Sequence, residues 1–187
     1  TQLSRLVWSE SDGLPGLIVD RYGEHVVLQT LTLAMDLRKD LIVQALVEVL
    51  KPKSIIERNE APVRRAEGME LMKGVIYGEP SEPAQLKHEG IVFRVDLIDG
   101  QKTGLYIDQL DNYGHVARLA KGRSVLDCFT NQGGFAQACA LAGATRVVAV
   151  DSSELAIAVA RSNANASGTN IEFIEANCFD LLKESDV

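Results

Sequence analysis

The stretch Ser124-Val-Leu-Asp-Cys-Phe-Thr-Asn-Gln-Gly-Gly-Phe135, read with Arg146-Val-Val-Ala-Val-Asp151, constrains the fold of this chain more than any other. A run of small and β-branched residues ends in an acid, Asp127. A short loop closes on Gly133 and Gly134, and an Ala-rich helical run follows as far as Gly143. A second apolar run then ends in another acid, Asp151. Strand, glycine loop, helix, strand, acid is the opening of a nucleotide-type βαβ unit. The pattern continues with a helix over about 153–165, a turn at Gly168 and a strand over about 171–175. A doubly wound sheet needs more strands than these three. The chain is therefore expected to be part of a longer one, with a further helix and strand after Val187.

The first hundred residues have a different rhythm. Leu17-Ile-Val-Asp-Arg-Tyr-Gly23 reads as a strand running into a turn, with His25-Val-Val-Leu-Gln-Thr30 as its hairpin partner. Asp36 is placed to cap a helix whose apolar positions Leu37, Leu41, Ile42, Ala45, Leu46, Val49 and Leu50 follow the helical stripe, and Pro52 ends it. Ser54-Ile-Ile-Glu-Arg58 reads as a strand and Ala61 to Glu67 as a short charged helix, with Arg64-Arg65 on a solvated face. This half is a small α+β domain. Gly78-Glu-Pro-Ser-Glu-Pro83 is the boundary by composition, and a hairpin around His88-Glu-Gly90 follows. Gln101-Lys-Thr-Gly-Leu-Tyr-Ile-Asp-Gln109 then leads into a helix through Val116 and Leu119, which Lys121-Gly122 stops.

Composition excludes several classes. The formal net charge of -7 in 187 residues is the reverse of an isolated nucleic-acid binder, so any grip on RNA is local or lies outside this chain. Cys128, Cys139 and Cys178 sit in apolar runs without metal-ligand spacing and read as reduced core thiols. His25, His88 and His115 have no partners at ligand spacing, so no metal is expected. No run is apolar for long enough to span a membrane, and the chain does not start as a signal peptide, which makes the cytoplasm the expected compartment.

The loop from Phe129 to Gly134 departs from G-x-G-x-x-G, which weakens a dinucleotide reading. It offers backbone N–H groups at a helix N-terminus, approached closely because glycine has no side chain. Such a site suits a carboxylate as well as a phosphate, and Asp127 suits a nearby cation. A ligand with a carboxylate, an ammonium and a sulfonium, S-adenosylmethionine, matches both. Asp151 is placed to accept from ribose hydroxyls, and Asn177 to meet the adenine edge with its amide.

Four ordered motifs give the chain a wider resemblance: Asp12-Gly-Leu-Pro-Gly-Leu-Ile-Val-Asp-Arg-Tyr-Gly23, Ile56-Glu-Arg58, Gln101-Lys-Thr-Gly104 with Tyr106 and Asp108-Gln109, and Val125 to Phe135. Together they resemble the class I S-adenosylmethionine-dependent ribosomal RNA large-subunit methyltransferases of the cytosine-5 type. In that family a PUA domain that binds RNA comes first, then a small α+β domain, then a Rossmann-like methyltransferase domain. The resemblance implies a middle α+β domain over residues 1–80, a connecting β-hairpin over 81–100 and a partial Rossmann-like cofactor domain over 101–187. It places Asp127, Phe129, Thr130, Asn131, Gly133 and Gly134 in the first cofactor motif. Asp151 with Ser152 falls at the ribose, and Asn177 with Cys178 at the adenine. Thr103, Asp108 and Gln109 line the methionine side. The implied partner is ribosomal RNA, and a homodimer is left open.

Two departures stand out. The family commonly has Tyr-Thr where this chain has Asn131-Gln132, and Asp where it has Asn177. An amide at the adenine position carries no charge, so weaker cofactor affinity is expected. Cytosine-5 methylation needs a thiolate that adds to the ring, and none of the three cysteines lies at the family's position. No catalytic residue is assigned, and this stretch alone is expected to be inert. A nucleotide-dependent oxidoreductase is disfavoured by the glycine spacing. A non-catalytic RNA-binding or assembly module is the alternative, against which the first motif and Asp151 argue.

Overall fold

The computed structural model describes residues 3–79, 84–100 and 105–184. Among the described residues, ten strands and seven α-helices form three sheets, and the chain divides into two compact units, residues 1–86 with 95–107 and residues 87–94 with 108–187.

The first unit is built on a five-stranded sheet in sequential order: β1 (Leu3–Trp8), β2 (Leu17–Tyr22), β3 (His25–Thr30), β4 (Ser54–Asn59) and β5 (Met72–Gly78). β2 and β3 form the expected hairpin, with Leu17 opposite Thr30 and Tyr22 opposite His25. β4 runs parallel to β3, with His25 opposite Ser54, so the connection between them must cross over the sheet. That crossover is α1 (Leu33–Asp36) and α2 (Lys39–Leu50). Ile42, Val43, Leu46 and Leu50 of α2 pack on Leu17, Val19, Val26, Leu28 and Ile55. Each aliphatic side chain fully buried in this way contributes roughly 1.5–3 kcal/mol. The flanking strands β1 and β5 carry too little alternation to be read from sequence, because neither has a fully buried face.

Two expectations for this unit are corrected. Asp36 does not cap the long helix, whose N-cap is Arg38 without a side-chain bond. Its Oδ1 instead accepts from Thr30 Oγ1 at 2.7 Å and from Arg64 Nη1 at 3.0 Å. Arg64 is not on a solvated face either. It sits on α3 (Val63–Ala66) and is 1% exposed, and its guanidinium also donates to the carbonyls of Thr30 and Glu70. The local charge pattern suggested solvent, but the Thr30 carbonyl at the end of β3 and the Asp36 carboxylate need a donor, and Arg64 supplies it. Arg58 of β4 is likewise buried and donates to the carbonyls of Leu97 and Gly100 at 3.2 and 2.6 Å.

β6 (Ala84–His88) and β7 (Ile91–Val95) pair as a hairpin around Glu89-Gly90. The second unit then comprises α4 (Leu110–Ala117), β8 (Ser124–Cys128), α5 (Gly134–Leu141), β9 (Arg146–Asp151), α6 (Glu154–Ser167), β10 (Glu172–Glu175) and α7 (Cys178–Glu184). Its strands are parallel in the order β10-β9-β8, with Asp127 opposite Ala149 and Glu175 opposite Asp151. The helices seat closely because their buried faces are small: Ala136, Cys139, Ala160 and Ala164 meet Val147, Ala149 and Phe173. Ser153 caps α6 by accepting from Ala156 N at 3.2 Å, and Gly168 ends it in the left-handed conformation. The α/β architecture read from sequence is the observed one.

Candidate cofactor-binding site

All the loops that can carry chemistry in the second unit leave the carboxyl ends of β8, β9 and β10, where ligands of open parallel sheets bind. The loop after β8 is the most constrained. Phe129, Asn131 and Gly133 have φ of +59°, +50° and +80°, so every second residue is left-handed. Asn tolerates this and Gly prefers it, but a Phe there is an outlier that costs about 1–3 kcal/mol. Bonds from outside the loop hold it. Phe129 N donates to Cys178 Sγ at 3.3 Å, Thr130 N to Val150 O at 2.9 Å, and Asn131 N to Asp151 Oδ2 at 2.9 Å.

Asp127 and Asp151 both work on this loop. Asp127 Oδ2 accepts from Thr130 Oγ1 at 2.6 Å and from Ala136 N at 3.1 Å, tying the loop to the first turn of α5. Burial pushes its carboxyl above the usual carboxylate range, and the charge of Asp151 adds to this, against those two bonds. A cation bound beside it would reverse that shift. Asp151 divides its oxygens between Asn131 N and Ser153 N, the latter at 3.0 Å. An ionised carboxylate still has two lone pairs to offer hydroxyl donors.

The remaining sequence-predicted residues fall around these two. Ser152 is exposed in the turn after Asp151. Asn177 is exposed, and its Oδ1 accepts from Phe179 N at 2.9 Å, capping α7 and leaving the amide N–H groups outward. Cys178 is buried, and its thiol lies between Phe129 N and Val150 O. Asp108 and Gln109 lie on the short 3-10 turn Ile107–Gln109 and bond to each other at 2.9 Å, and Asn112 donates to Gln109 Oε1. Thr103 lies outside the described residues. Burial and the neighbouring Cys178 push the Cys128 thiol up, and burial and Asp127 do the same to Cys139. Both are held as thiols, unlike a nucleophile poised near neutral pH.

Three residues escaped the sequence reading. Phe179 is 64% exposed and lies 5.5 Å, ring centre to ring centre, from Phe129, which is 58% exposed, an apolar pair beside Asn177. Asn163 is fully buried on α6. It donates to Gln132 O at 3.2 Å and accepts from Arg94 N at 2.9 Å, so it supports the glycine loop from behind. A lone Asn on the apolar face of an Ala-rich helix was the available signal. Tyr113 of α4 packs edge-on to Phe135 with ring centres 4.7 Å apart, and the tip of its ring covers Gly134.

A cavity of about 550 Å³ opens at the other end of the sheet, near Thr145, Arg146, Gly168 and Glu172. It lies at the amino ends of the strands and is crossed by the exposed Arg146–Glu172 ion pair, so the chemistry is not placed there.

Residues 68–186 match the model of a family described as S-adenosylmethionine-dependent methyltransferase. The chain belongs to that family. The S-adenosylmethionine reading holds, and the oxidoreductase reading is set aside. A ribosomal RNA large subunit methyltransferase I from Aeromonas hydrophila is 43% identical over 185 residues, covering 96% of this chain and 47% of that protein. The chain thus spans about half the length of the curated relatives it matches. Among solved structures, a methyltransferase complexed with S-adenosylhomocysteine superimposes with a TM-score of 0.84 at 25% identity, over 98% of this chain and 47% of that one. A protein from Streptococcus mutans described as a SAM-dependent methyltransferase gives 0.82 at 24% identity over 98% and 48%, which shows the shared fold.

Proposed function

We propose that this chain holds S-adenosylmethionine at the carboxyl ends of β8, β9 and β10, and that it serves methyl transfer to large-subunit ribosomal RNA, at carbon 5 of a cytosine. The observation that carries the cofactor placement is the pair Asp127 and Asp151. They end adjacent parallel strands, with the glycine loop and the N-terminus of α5 between them. Asp127 would face the ammonium, the loop the carboxylate, Asp151 with Ser152 the ribose, and Asn177 with Cys178 the adenine. Phe129 and Phe179 would flank the base as an apolar pair. Thr130, Asn131, Gly133 and Gly134 shape the loop, while Thr103, Asp108 and Gln109 belong to the methionine side.

The residues fit the ligand. A side chain at Gly134 would overlap Tyr113, and one at Gly133 would press on Ala160, so the two glycines let the loop seat against α4 and α6 and keep its backbone N–H groups in place. The cofactor, when bound, supplies an electrophilic methyl group on its sulfonium. The chain's own contribution is to bind and orient it, and none of the three cysteines is assigned as nucleophile. The RNA assignment is supported by the name of the relatives. With the net charge at -7, the RNA grip belongs to a local patch or to other segments of the longer protein. Residues 1–80 would act as its middle domain, 81–100 as the connecting hairpin and 101–187 as the first half of its cofactor domain.

The test is a calorimetric titration of S-adenosylmethionine into the folded protein, with NAD as control. Saturable binding of the first alone, lost in Asp151→Ala, supports the placement. Binding that survives loss of both Asp127 and Asp151 would overturn it.

A further inference from the structure

The stretch from Asn112 to Leu126 carries no acid, in a chain whose formal net charge is -7. It holds three cations close together, Arg118, Lys121 and Arg123, and all three are exposed. The next acid after Asp127 is Asp151, so nothing between those two adds negative charge either. The acids that set the net charge therefore lie elsewhere in the chain. At physiological salt a charge is screened beyond about 8 Å, so a ligand that approaches here meets the local sign rather than the total. Among the described residues, none of the three cations reaches a carboxylate at ion-pair distance, and Arg118 bonds instead to His115 Nδ1.

The backbone beneath these side chains is held in place. After α4 ends at Ala117, Gly122 turns the chain in the left-handed conformation, at φ +72°. Gly122 N donates to Gly143 O at 2.9 Å and Thr145 N to Arg123 O at 2.8 Å, which knits the turn before β8 to the turn before β9. Arg146 follows, opposite Ser124 in the parallel register. The cations thus stand at the amino ends of the strands, beside the cavity of about 550 Å³ described above. The one carboxylate in the lining of that cavity, Glu172, is engaged by Arg146 at 2.7 Å, so it does not repel an anion brought to the rim. A ledge whose backbone is already ordered loses little entropy when a ligand settles on it.

We infer that Arg118, Lys121 and Arg123 form an anchoring surface for the phosphate backbone of RNA, at the end of the sheet opposite the cofactor loops. This rests on the ribosomal RNA reading proposed above and gives that grip a place in this chain. The guanidinium groups of Arg118 and Arg123 can each take two phosphate oxygens, and Lys121 adds a point charge. Contacts of this kind position a nucleic acid without reading its sequence. β8 is five residues long, so the two ends of the sheet lie only about 16 Å apart. A folded RNA is larger than that. It can present one nucleotide at the carboxyl ends of the strands while an adjoining length of backbone rests on these cations.

The test uses the full-length protein and a transcript of large-subunit ribosomal RNA. In a variant with Arg118→Gln, Lys121→Gln and Arg123→Gln together, the slope of log affinity against log salt should become shallower by about 2 to 3, from about 0.7–0.9 for each phosphate contact. At about 0.15 M salt its affinity should fall about tenfold to a hundredfold, and equally for RNAs of different sequence. Its affinity for S-adenosylhomocysteine should not change. Arg118→Lys with Arg123→Lys keeps the charge and should keep the wild-type slope. An unchanged slope in the glutamine variant overturns the inference. A second measurement needs no variant: bound RNA should protect Lys121 of the wild type from acetylation by acetic anhydride, and equal modification with and without RNA overturns the inference as well. Wild-type protein that binds no ribosomal RNA overturns the RNA reading itself.

Discussion

Asp151, at the end of β9, reaches across to the loop that follows β8 and accepts the backbone N–H of Asn131 at 2.9 Å. The same carboxylate therefore holds the left-handed turn at Asn131 and faces the position proposed for the ribose. Asp151→Asn keeps an acceptor but loses the charge. Its affinity for S-adenosylmethionine should fall about tenfold, and Asp151→Ala should in addition lose about 1–3 kcal/mol of stability through the orphaned N–H groups. Calorimetry and urea denaturation separate the two effects.

Asp127 is expected to show the opposite balance. Its carboxyl is raised by burial, so the charged form opposes folding. For a raised acid, the stability it contributes is fully present below its ordinary value of 3.8 and is lost as pH rises through the higher folded value. Asp127→Asn can still accept from Thr130 and Ala136, and it has no proton to lose. The variant should therefore be at least as stable as wild type at pH 7 and should lack that step in the stability–pH curve. It should nonetheless bind S-adenosylmethionine more weakly, because the ammonium loses its counter-charge. A variant that is less stable but binds equally well would contradict this account.

Gly134 is fixed by Tyr113 rather than by its own backbone. Ala is favoured over Gly in a helix by about 1 kcal/mol, but overpacking typically costs about 1–3 kcal/mol. With the nearest ring atom 2.4 Å from the new Cβ, the clash should win and Gly134→Ala should destabilise the protein. Combining it with Tyr113→Ala should recover part of the loss. The coupling read from a double-mutant cycle of denaturation midpoints would then be clearly non-zero.

Asn177 caps α7 through Oδ1. Asp at this position can make the same bond with a full charge at a helix N-terminus, and it also offers the adenine amino group a stronger acceptor. Asn177→Asp should raise both the melting temperature and the affinity for S-adenosylmethionine. An unchanged or lower affinity would remove Asn177 from the proposed adenine contact.

In the first unit, Arg64 is the central donor. Arg64→Met leaves the Thr30 carbonyl without its donor, while Asp36, partly exposed, keeps Thr30 and Lys39, so the cost is that of an orphaned buried acceptor, about 1–3 kcal/mol. Burial pushes Asp36 up, but the bonds from Arg64 and Thr30 and the charge of Lys39 outweigh it and hold its carboxyl low. Its contribution is therefore present above the ordinary value of 3.8 and is lost as pH falls through the lower folded value. Acid titration of stability should show that loss in wild type and a smaller one in Arg64→Met.

Features that depend on period and on chain neighbours are legible in the sequence alone. The βαβ order, the acids at the ends of β8 and β9, the glycine loop and the β2–β3 hairpin are each written in alternation, helical spacing and turn chemistry within about thirty residues. It also carried the cofactor class, through the loop and the second acid together. What it could not carry were relationships made by packing. Arg64 is a buried donor because the Thr30 carbonyl at the end of β3, 34 residues away in sequence, needs one. Asp36 turns from cap to acceptor for the same reason. Asn163 props up the glycine loop, and Tyr113 brings its hydroxyl to Gly134, only once α6 and α4 are seated on the sheet. A side chain's partners across tens of residues have no local periodicity to betray them, so packing in three dimensions settled which polar groups were satisfied.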